Sequence, residues 1–192
     1  MDLQGKAVSV TPDGVEDGYS PPLAYHGEMT PKGDTRIVTT APPPEILRVH
    51  RALVGALAPP LNFLYRQKVN RRDPKPQGGP PRDFVALNVS SEGVLAALDE
   101  ATSLLHHDAR CEIWIRGNLG EQVILDEDGM MFCYPDDPSF RDALDAAEVP
   151  DANFEGMDKR DYVKHWFHAD NDAVEDGLMT SLKLQEVPYR KA

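Results

Sequence analysis

The sequence predicts an α+β fold, a mostly antiparallel sheet of about five strands with helices covering one face. Three observations lead to this prediction. Several short segments alternate apolar and polar residues, which is the period of a β-strand. The turn-forming residues 117–120 and 126–129 separate three of these segments, and strands joined by such short turns are antiparallel neighbours. Elsewhere, apolar residues three and four positions apart predict amphipathic helices.

Composition divides the chain near residue 82. Residues 1–82 contain 13 of the 17 prolines and carry 11 basic against 8 acidic side chains, whereas residues 83–192 carry 9 against 24. The acidic excess behind the net charge of −12 therefore belongs to the C-terminal part. We predict an extended or poorly ordered tail over residues 1–34, a helical arm and basic Pro-rich linker over 35–82 packed on the domain, and an acidic α+β domain over 83–192.

The predicted arm contains one helix. Residues 36–40 can form a short strand, and the prolines at 42–44 suit the first turn of a helix near 45–58, because the amides of that turn lack intrahelical acceptors. The linker over 66–82 has six basic residues and one acid. It can lie along its own acidic domain, contact a protein partner or contact nucleic acid. The apolar stripe of the helix consists of Ile46, Val49, Leu53 and Leu57.

The C-terminal part contains the other predicted elements. Val85, Leu87 and Val89 alternate as on a strand, and Ser90 or Ser91 can cap the helix that follows. In the next strand the apolar residues at 111, 113 and 115 alternate with residues 112, 114 and 116. The predicted strands lie near residues 84–89, 110–116, 121–126, 130–134 and 178–186, and the predicted helices near 91–107, 138–147 and 158–169.

The cysteines and the apolar segments favour a cytoplasmic protein. Cys111 and Cys133 fall in predicted strands without the spacing of a metal finger, so we expect two free buried thiols in a reducing compartment. The longest apolar run, residues 52–58, is far shorter than the roughly 20 residues of a spanning helix. The first ten residues lack the apolar core of a signal peptide.

One pattern in the sequence suits a metal ion. If residues 158–169 and those that follow are helical, Asp161, His165, His168 and Asp172 share one face at i, i+4, i+7 and i+11. Imidazole and carboxylate groups are ligands for zinc and similar divalent ions. The same residue types also form ordinary solvated helix faces, so both interpretations stay open.

Other chemical signatures are weaker. His106 and His107 near a predicted helix end can bind a metal or phosphate, but histidine is favoured there by the helix dipole alone. The acidic residues of 170–177 depart from a calcium-binding loop, because residues 174 and 175 replace its ligand and glycine. The sequence contains no nucleophile elbow and no phosphate-binding glycine loop.

These observations lead to two hypotheses about function. The first is a non-catalytic cytoplasmic protein-binding module with a regulatory, immunity-like or scaffold role, whose acidic surface is directed at a basic partner protein. The second is a metal-dependent enzyme that holds a divalent metal such as zinc at the His/Asp site. A chain of net charge −12 is not attracted to nucleic acid or to an anionic membrane, so neither is expected as a partner.

Overall fold

The computed structural model describes residues 4–73, 79–165 and 168–188, which form an α+β structure. Among the helices of that part of the chain, none has the length and apolar character needed to cross a lipid bilayer. The strands are β1 (Ala7–Ser9), β2 (Ala24–Met29), β3 (Thr35–Thr40), β4 (Leu61–Gln67), β5 (Arg82–Val89), β6 (Cys111–Arg116), β7 (Gln122–Leu125), β8 (Met131–Tyr134), β9 (Tyr162–Lys164) and β10 (Gln185–Val187). The helices are α1 (Ile46–Gly55), α2 (Ser91–Glu100), α3 (Thr102–His107), α4 (Pro138–Ala146) and α5 (Asn171–Ser181).

The strands form one large sheet and one small one. In the described residues, eight strands are ordered β10-β5-β4-β6-β7-β8-β3-β2, and each neighbouring pair is antiparallel. The antiparallel sheet is therefore confirmed, although it is larger than the predicted five strands. β6, β7 and β8 form the meander that the short turns predict. β1 and β9 pair with each other as a separate two-stranded sheet.

The hydrophobic core lies between the eight-stranded sheet and the helices on one of its faces. Alternate residues of the strands point into it, as the period of a strand requires. Each fully buried Leu, Ile or Phe there contributes roughly 1.5–3 kcal/mol to the free energy of unfolding. The strands supply the fully buried residues Phe63, Tyr65, Ile113, Ile115 and Val123, and the helices supply Val49, Leu53, Val94, Leu98 and Phe140.

Capping residues explain where several helices begin and end. The Ser90 hydroxyl accepts a hydrogen bond from the Gly93 amide at 3.1 Å at the start of α2, and the Asp137 carboxylate accepts one from the Ser139 amide at 2.8 Å at the start of α4. The helix predicted near 91–107 is divided into α2 and α3, because the Thr102 hydroxyl donates back to preceding backbone carbonyls. The helices predicted near 45–58 and 138–147 are confirmed as α1 and α4.

The described residues show no separate Pro-rich arm. β3 and β4, from the region assigned to the arm, belong to the main sheet, and β4 lies between β5 and β6. β2, from the region assigned to a tail, pairs along its length with β3. The prolines mislead at the sequence level because they flank strands rather than interrupt them. Pro59 and Pro60 stand just before β4, whose alternate residues are buried.

The predictions for the C-terminal 35 residues are partly wrong. The predicted helix near 158–169 is replaced by a 3-10 turn (Met157–Lys159) and β9, because this segment pairs with β1. Trp166 and Phe167, within the bounds of the predicted helix, lie outside the described residues. The predicted strand near 178–186 is also wrong. Its first residues belong to α5, where Leu178 is buried, and only β10 is extended.

Both cysteines are free and buried, as predicted. Burial raises the pKa of the Cys111 thiol to about 11, and burial also raises the pKa of Cys133. At neutral pH both sulfurs are therefore protonated, and they serve as small apolar side chains of the core.

Candidate functional site

The face of the large sheet opposite the helices carries an unbroken apolar row. The row is defined by strand register: Leu64 is opposite both Val85 and Trp114, Trp114 is opposite Ile124, and so on across the sheet. Side chains in register on neighbouring antiparallel strands touch one another. In order from β5 to β3, the row consists of Val85, Leu64, Trp114, Ile124, Phe132 and Val38.

Within the described residues, only one end of this row is covered. The two-stranded sheet and the segment before β9 form a second, small core over it, where Val38, Met130 and Met157 are at most 4 % exposed. At the other end Leu64, Val85 and Trp114 are only partly buried, and Leu87 on the same side of β5 is 67 % exposed. We call these four residues the apolar strip. Contiguous exposed apolar surface on a folded protein commonly marks an interaction site.

Trp114 in the strip is held by charged neighbours. The guanidinium of Arg66 lies 5.1 Å from the centre of its ring, and its indole nitrogen donates to Glu112 at 3.1 Å. Arg66 in turn donates to both carboxylate oxygens of Asp83 at 2.8 and 3.0 Å. These bonds fix the tryptophan in one orientation, so less side-chain entropy is lost when a partner covers it.

The charges beside the strip largely pair with one another. Lys68 bonds Glu112 at 2.7 Å and Glu127 at 3.1 Å, and Lys164 also bonds Glu127 at 3.1 Å. Burial, together with the hydrogen bond to Glu127, raises the pKa of Glu112. Burial acts to raise the pKa of Glu127 as well, but its bond with Glu112 and the two lysine charges lower it overall. Among the described residues, exposed acids that form no ion pair also lie on the helices, namely Glu92 and Glu100 on α2 and Asp142 on α4.

The basic residues of the predicted linker that the structure describes contact acids from the C-terminal part of the chain. Arg71 lies 3.4 Å from Asp172, and Arg72 donates to Asp176 at 2.9 Å. Arg82, within β5, bonds Glu186 of β10 at 2.7 Å. Lys75 lies outside the described residues.

The four residues of the predicted metal site do not share a helix face. Asp161 is an exposed residue before β9, and His165 follows that strand, where its backbone amide donates to the Lys6 carbonyl. His168 stands before α5, and its carbonyl accepts from Arg110 at 2.8 Å. Asp172 accepts from the same guanidinium at 2.6 Å. Throughout residues 4–73, 79–165 and 168–188, no three His, Cys, Asp or Glu side chains come together in a way that could hold a metal ion.

The His106–His107–Asp108 sequence is buried. The Asp108 carboxylate accepts a hydrogen bond from the Arg110 guanidinium at 3.0 Å. The two side chains form a buried ion pair, in which Arg110 is 1 % exposed and Asp108 is 0 % exposed. His106 Nε2 lies 3.0 Å from Nδ1 of His50, and both rings are fully buried. Burial first, and then the charge of Lys6, lowers the pKa of His50 to about 3. Burial likewise lowers the pKa of His106 well below its usual value, so the pair is neutral.

The sequence-level reasoning did not identify the apolar strip or the histidine pair, although each left a signal. Trp114 lies among charged residues on the outward side of its strand, and a large aromatic residue in such a position is typical of binding surfaces. His50 belongs to the buried side of its helix, since it stands four residues after Ile46 and three before Leu53. Comparisons of the chain with protein-family models, curated proteins and solved structures found no match.

Proposed function

We propose that this chain is a non-catalytic protein-binding module with a regulatory, immunity-like or scaffold role, and that the apolar strip docks a basic partner protein. The observation that carries the proposal is the strip itself, in which Trp114 lies beside three exposed or half-buried aliphatic side chains and is stacked by Arg66. Tryptophan and arginine in the centre of a patch are the residue types that most often dominate binding free energy at protein interfaces.

The basic character of the partner follows from charge. The chain carries a net charge of −12, while the ion pairs beside the strip neutralise one another locally. Long-range attraction therefore comes from the acidic remainder of the molecule and accelerates encounter with a basic protein. Once the two proteins meet, burial of the strip supplies most of the affinity, because exposed ion pairs contribute only about 0–1 kcal/mol each.

The alternative of a metal-dependent enzyme has no support in the geometry of the described residues. Two of its proposed ligands, His168 and Asp172, bond Arg110, one through its backbone carbonyl and the other through its carboxylate. No observation favours a zinc site over the protein-binding function.

The proposal is tested with two matched variants. Leu87 and Val15 are exposed to similar extents, 67 % and 64 %, but only Leu87 belongs to the strip. Leu87→Asp and Val15→Asp therefore change the net charge equally and differ in where the charge is placed. Proteins retained from native lysate by each immobilised variant and by the wild type are quantified, and binding of the retained partner is then measured kinetically.

We expect a basic partner that binds wild type and Val15→Asp alike and binds Leu87→Asp at least tenfold more weakly, mainly through faster dissociation. Raising the salt concentration should slow association with all three proteins. Trp114→Ala, checked for folding by its thermal melt, should weaken binding in the same way as Leu87→Asp. If Leu87→Asp and Val15→Asp bind the partner equally, the apolar strip is not the docking surface. If the association rate does not depend on salt concentration, the partner is not attracted by its positive charge.

A further inference from the structure

A cavity of about 310 Å³ opens on the sheet at the end of the apolar row that is farthest from the strip. Strands β2, β3 and β8 form its floor, and the segment before β9, including the 3-10 turn, forms its wall. The volume lies near the lower limit of about 300 Å³ for small-molecule sites, so the cavity suits one small molecule rather than a stretch of polypeptide.

The lining of the cavity combines an apolar part with charged side chains of both signs. Val38 and Met130 are 3 % and 4 % exposed, and the rings of Phe132 and Phe154 are partly buried. A ligand that covers charged groups has to replace the water that they lose, and a ligand that covers the apolar part gains from burial. The charged residues of the lining are Glu28, Arg36, Asp158 and Lys159.

Two of these four charges already neutralise each other. Nε of Arg36 donates to Glu28 at 2.6 Å, one terminal nitrogen donates to the Tyr134 hydroxyl at 2.7 Å, and the other terminal nitrogen also pairs with Glu28. The guanidinium stacks over the ring of Phe132, 4.4 Å from its centre. Because all three nitrogens of Arg36 have partners, this ion pair is part of the wall rather than a group that a ligand must neutralise.

The other two charges are unpaired within the described part of the chain. Asp158 and Lys159 are exposed neighbours on the 3-10 turn, and neither side chain forms an ion pair or hydrogen bond with a described residue. A methyl group on Gly156 would collide with Oδ1 of Asp158 and with the sulfur and methyl carbon of Met130. The Asp158 carboxylate therefore lies over Gly156 and close to the end of Met130, where the polar part of the lining meets the apolar part.

Unpaired charges of both signs beside an apolar surface favour a ligand with the same arrangement. An ammonium group can bond the Asp158 carboxylate while a carboxylate group bonds the Lys159 ammonium. A ligand with only a positive charge is repelled by Lys159, and a ligand with only a negative charge is repelled by Asp158. An α-amino acid carries both charges on one carbon atom, and Asp158 and Lys159 are consecutive residues.

We propose that this cavity binds a free α-amino acid with an apolar side chain, such as leucine. The ammonium group of the ligand bonds Asp158, its carboxylate bonds Lys159, and its side chain covers Val38 and Met130. This binding site is independent of the protein-binding function, because the cavity and the apolar strip have no residue in common.

The experiment uses the methyl group of Met130 as a reporter. The full chain is labelled with 13C-methyl methionine, and its Met130 signal is assigned with Met130→Leu. L-leucine, L-leucinamide, N-acetyl-L-leucine and glycine are then titrated separately at one pH and one ionic strength. L-leucine should shift the signal saturably. The amide and the N-acetyl compound each lack one of the two charges and should bind roughly three- to tenfold more weakly, and glycine should bind more weakly because it has no apolar side chain.

Two variants assign the two charges of the ligand to their partners. Asp158→Asn should lose the preference for L-leucine over N-acetyl-L-leucine, and Lys159→Met should lose the preference for L-leucine over L-leucinamide. Asp13→Asn and Lys32→Met change the net charge in the same two ways at exposed positions that do not line the cavity. Both controls should leave every dissociation constant unchanged.

Three results would overturn the proposal. The first is that L-leucine causes no saturable shift of the Met130 signal. The second is that either singly charged analogue binds the wild type as tightly as L-leucine does. The third is that Asp158→Asn and Lys159→Met keep the ligand preferences of the wild type.

Discussion

The buried histidine pair predicts that the protein loses stability in mild acid. His50 and His106 are neutral in the folded protein because burial disfavours the imidazolium form of each. In the unfolded chain both rings titrate near pH 6.5. A group whose folded pKa is lowered in this way contributes its full stability above the unfolded pKa. That contribution is lost as the pH falls below 6.5, since only the unfolded state takes up the proton.

The size of the effect follows from the two pKa values of His50. Its folded pKa of about 3 lies well below pH 5, so at pH 5 the folded ring is still neutral while the unfolded ring is protonated. Between pH 6.5 and pH 5 the free energy of unfolding falls by about 1.4 kcal/mol per pH unit, so His50 alone accounts for a loss of about 2 kcal/mol at pH 5. His106 adds a further loss in the same direction, because burial lowers its pKa well below the ordinary value. The loss from His50 alone is already a large part of the 5–15 kcal/mol that holds a typical domain folded.

The assay compares urea unfolding at pH 7.5 and pH 5 for wild type and for His50→Leu/His106→Leu, in which both partners of the hydrogen bond become apolar. Asp126 acts in the opposite direction, because burial raises its pKa to about 7 in the folded protein and its protonation stabilises the fold as the pH falls. Both proteins retain Asp126, so its contribution cancels when their pH profiles are subtracted. The double variant should lack at least about 2 kcal/mol of the acid destabilisation of the wild type, the contribution of His50 alone.

A control variant separates the loss of the imidazoles from a general loss of stability. Ile113→Val, also fully buried, should lower the free energy of unfolding by roughly 0.5–1.5 kcal/mol at both pH values and leave the difference between them unchanged. If the profiles of wild type and the double variant run parallel within about 1 kcal/mol, the histidine pair does not stay neutral in the folded protein and the reasoning fails.

Two further outcomes are expected from the packing. Arg110→Met should lower the free energy of unfolding by about 3–5 kcal/mol in urea melts, because Asp108 is left as an unpaired charge at 0 % exposure, and Arg110→Lys should not restore it since lysine cannot reproduce the forked bonds. Deletion of residues 1–22 removes β1 and the hydrogen bonds of Lys6 to the Cys111 and Asp126 carbonyls at 2.7 and 3.0 Å. The deletion should lower the free energy of unfolding by about 3 kcal/mol, because several hydrogen bonds at roughly 1 kcal/mol each are lost, and it should increase binding of a hydrophobic dye because the small core over β3 and β8 is uncovered. Full-length protein carrying Val15→Asp should show neither change. A deletion variant as stable as wild type would show that β1 is dispensable.

The elements that could be predicted from the sequence are those determined by neighbours in the chain. The meander β6-β7-β8 depends on connections of five residues, and α1 and α4 each have an apolar stripe and a proline near the first turn. β4 could not be placed, because it pairs with β5 and β6 and nothing local distinguishes a central strand from an apolar patch in a linker. β9 is extended only through its pairing with β1, more than 150 residues earlier in the chain.

The candidate site could be predicted only in part, for a related reason. Alternation alone places Trp114 on one side of its strand, but which side faces the helices is decided by tertiary packing. On β5 the buried positions are Phe84 and Ala86, so the alternating Val85 and Leu87 face outward and join the strip. The predicted metal site depended on a helix that does not form, and its members were therefore separated.

The strand order also determines when the protein can fold as it is synthesised. β3 pairs with β8, so about 90 residues must be added after Thr39 before its partner Met131 exists. At about 5–20 residues per second this takes roughly 5–18 seconds. Throughout that time the hairpin of β2 and β3 has an unpaired edge. The edge of β5 likewise stays unpaired until β10 has been synthesised. The nascent chain thus has an open strand edge at each side of the growing sheet, which makes its synthesis, rather than its folded state, the stage most exposed to aggregation.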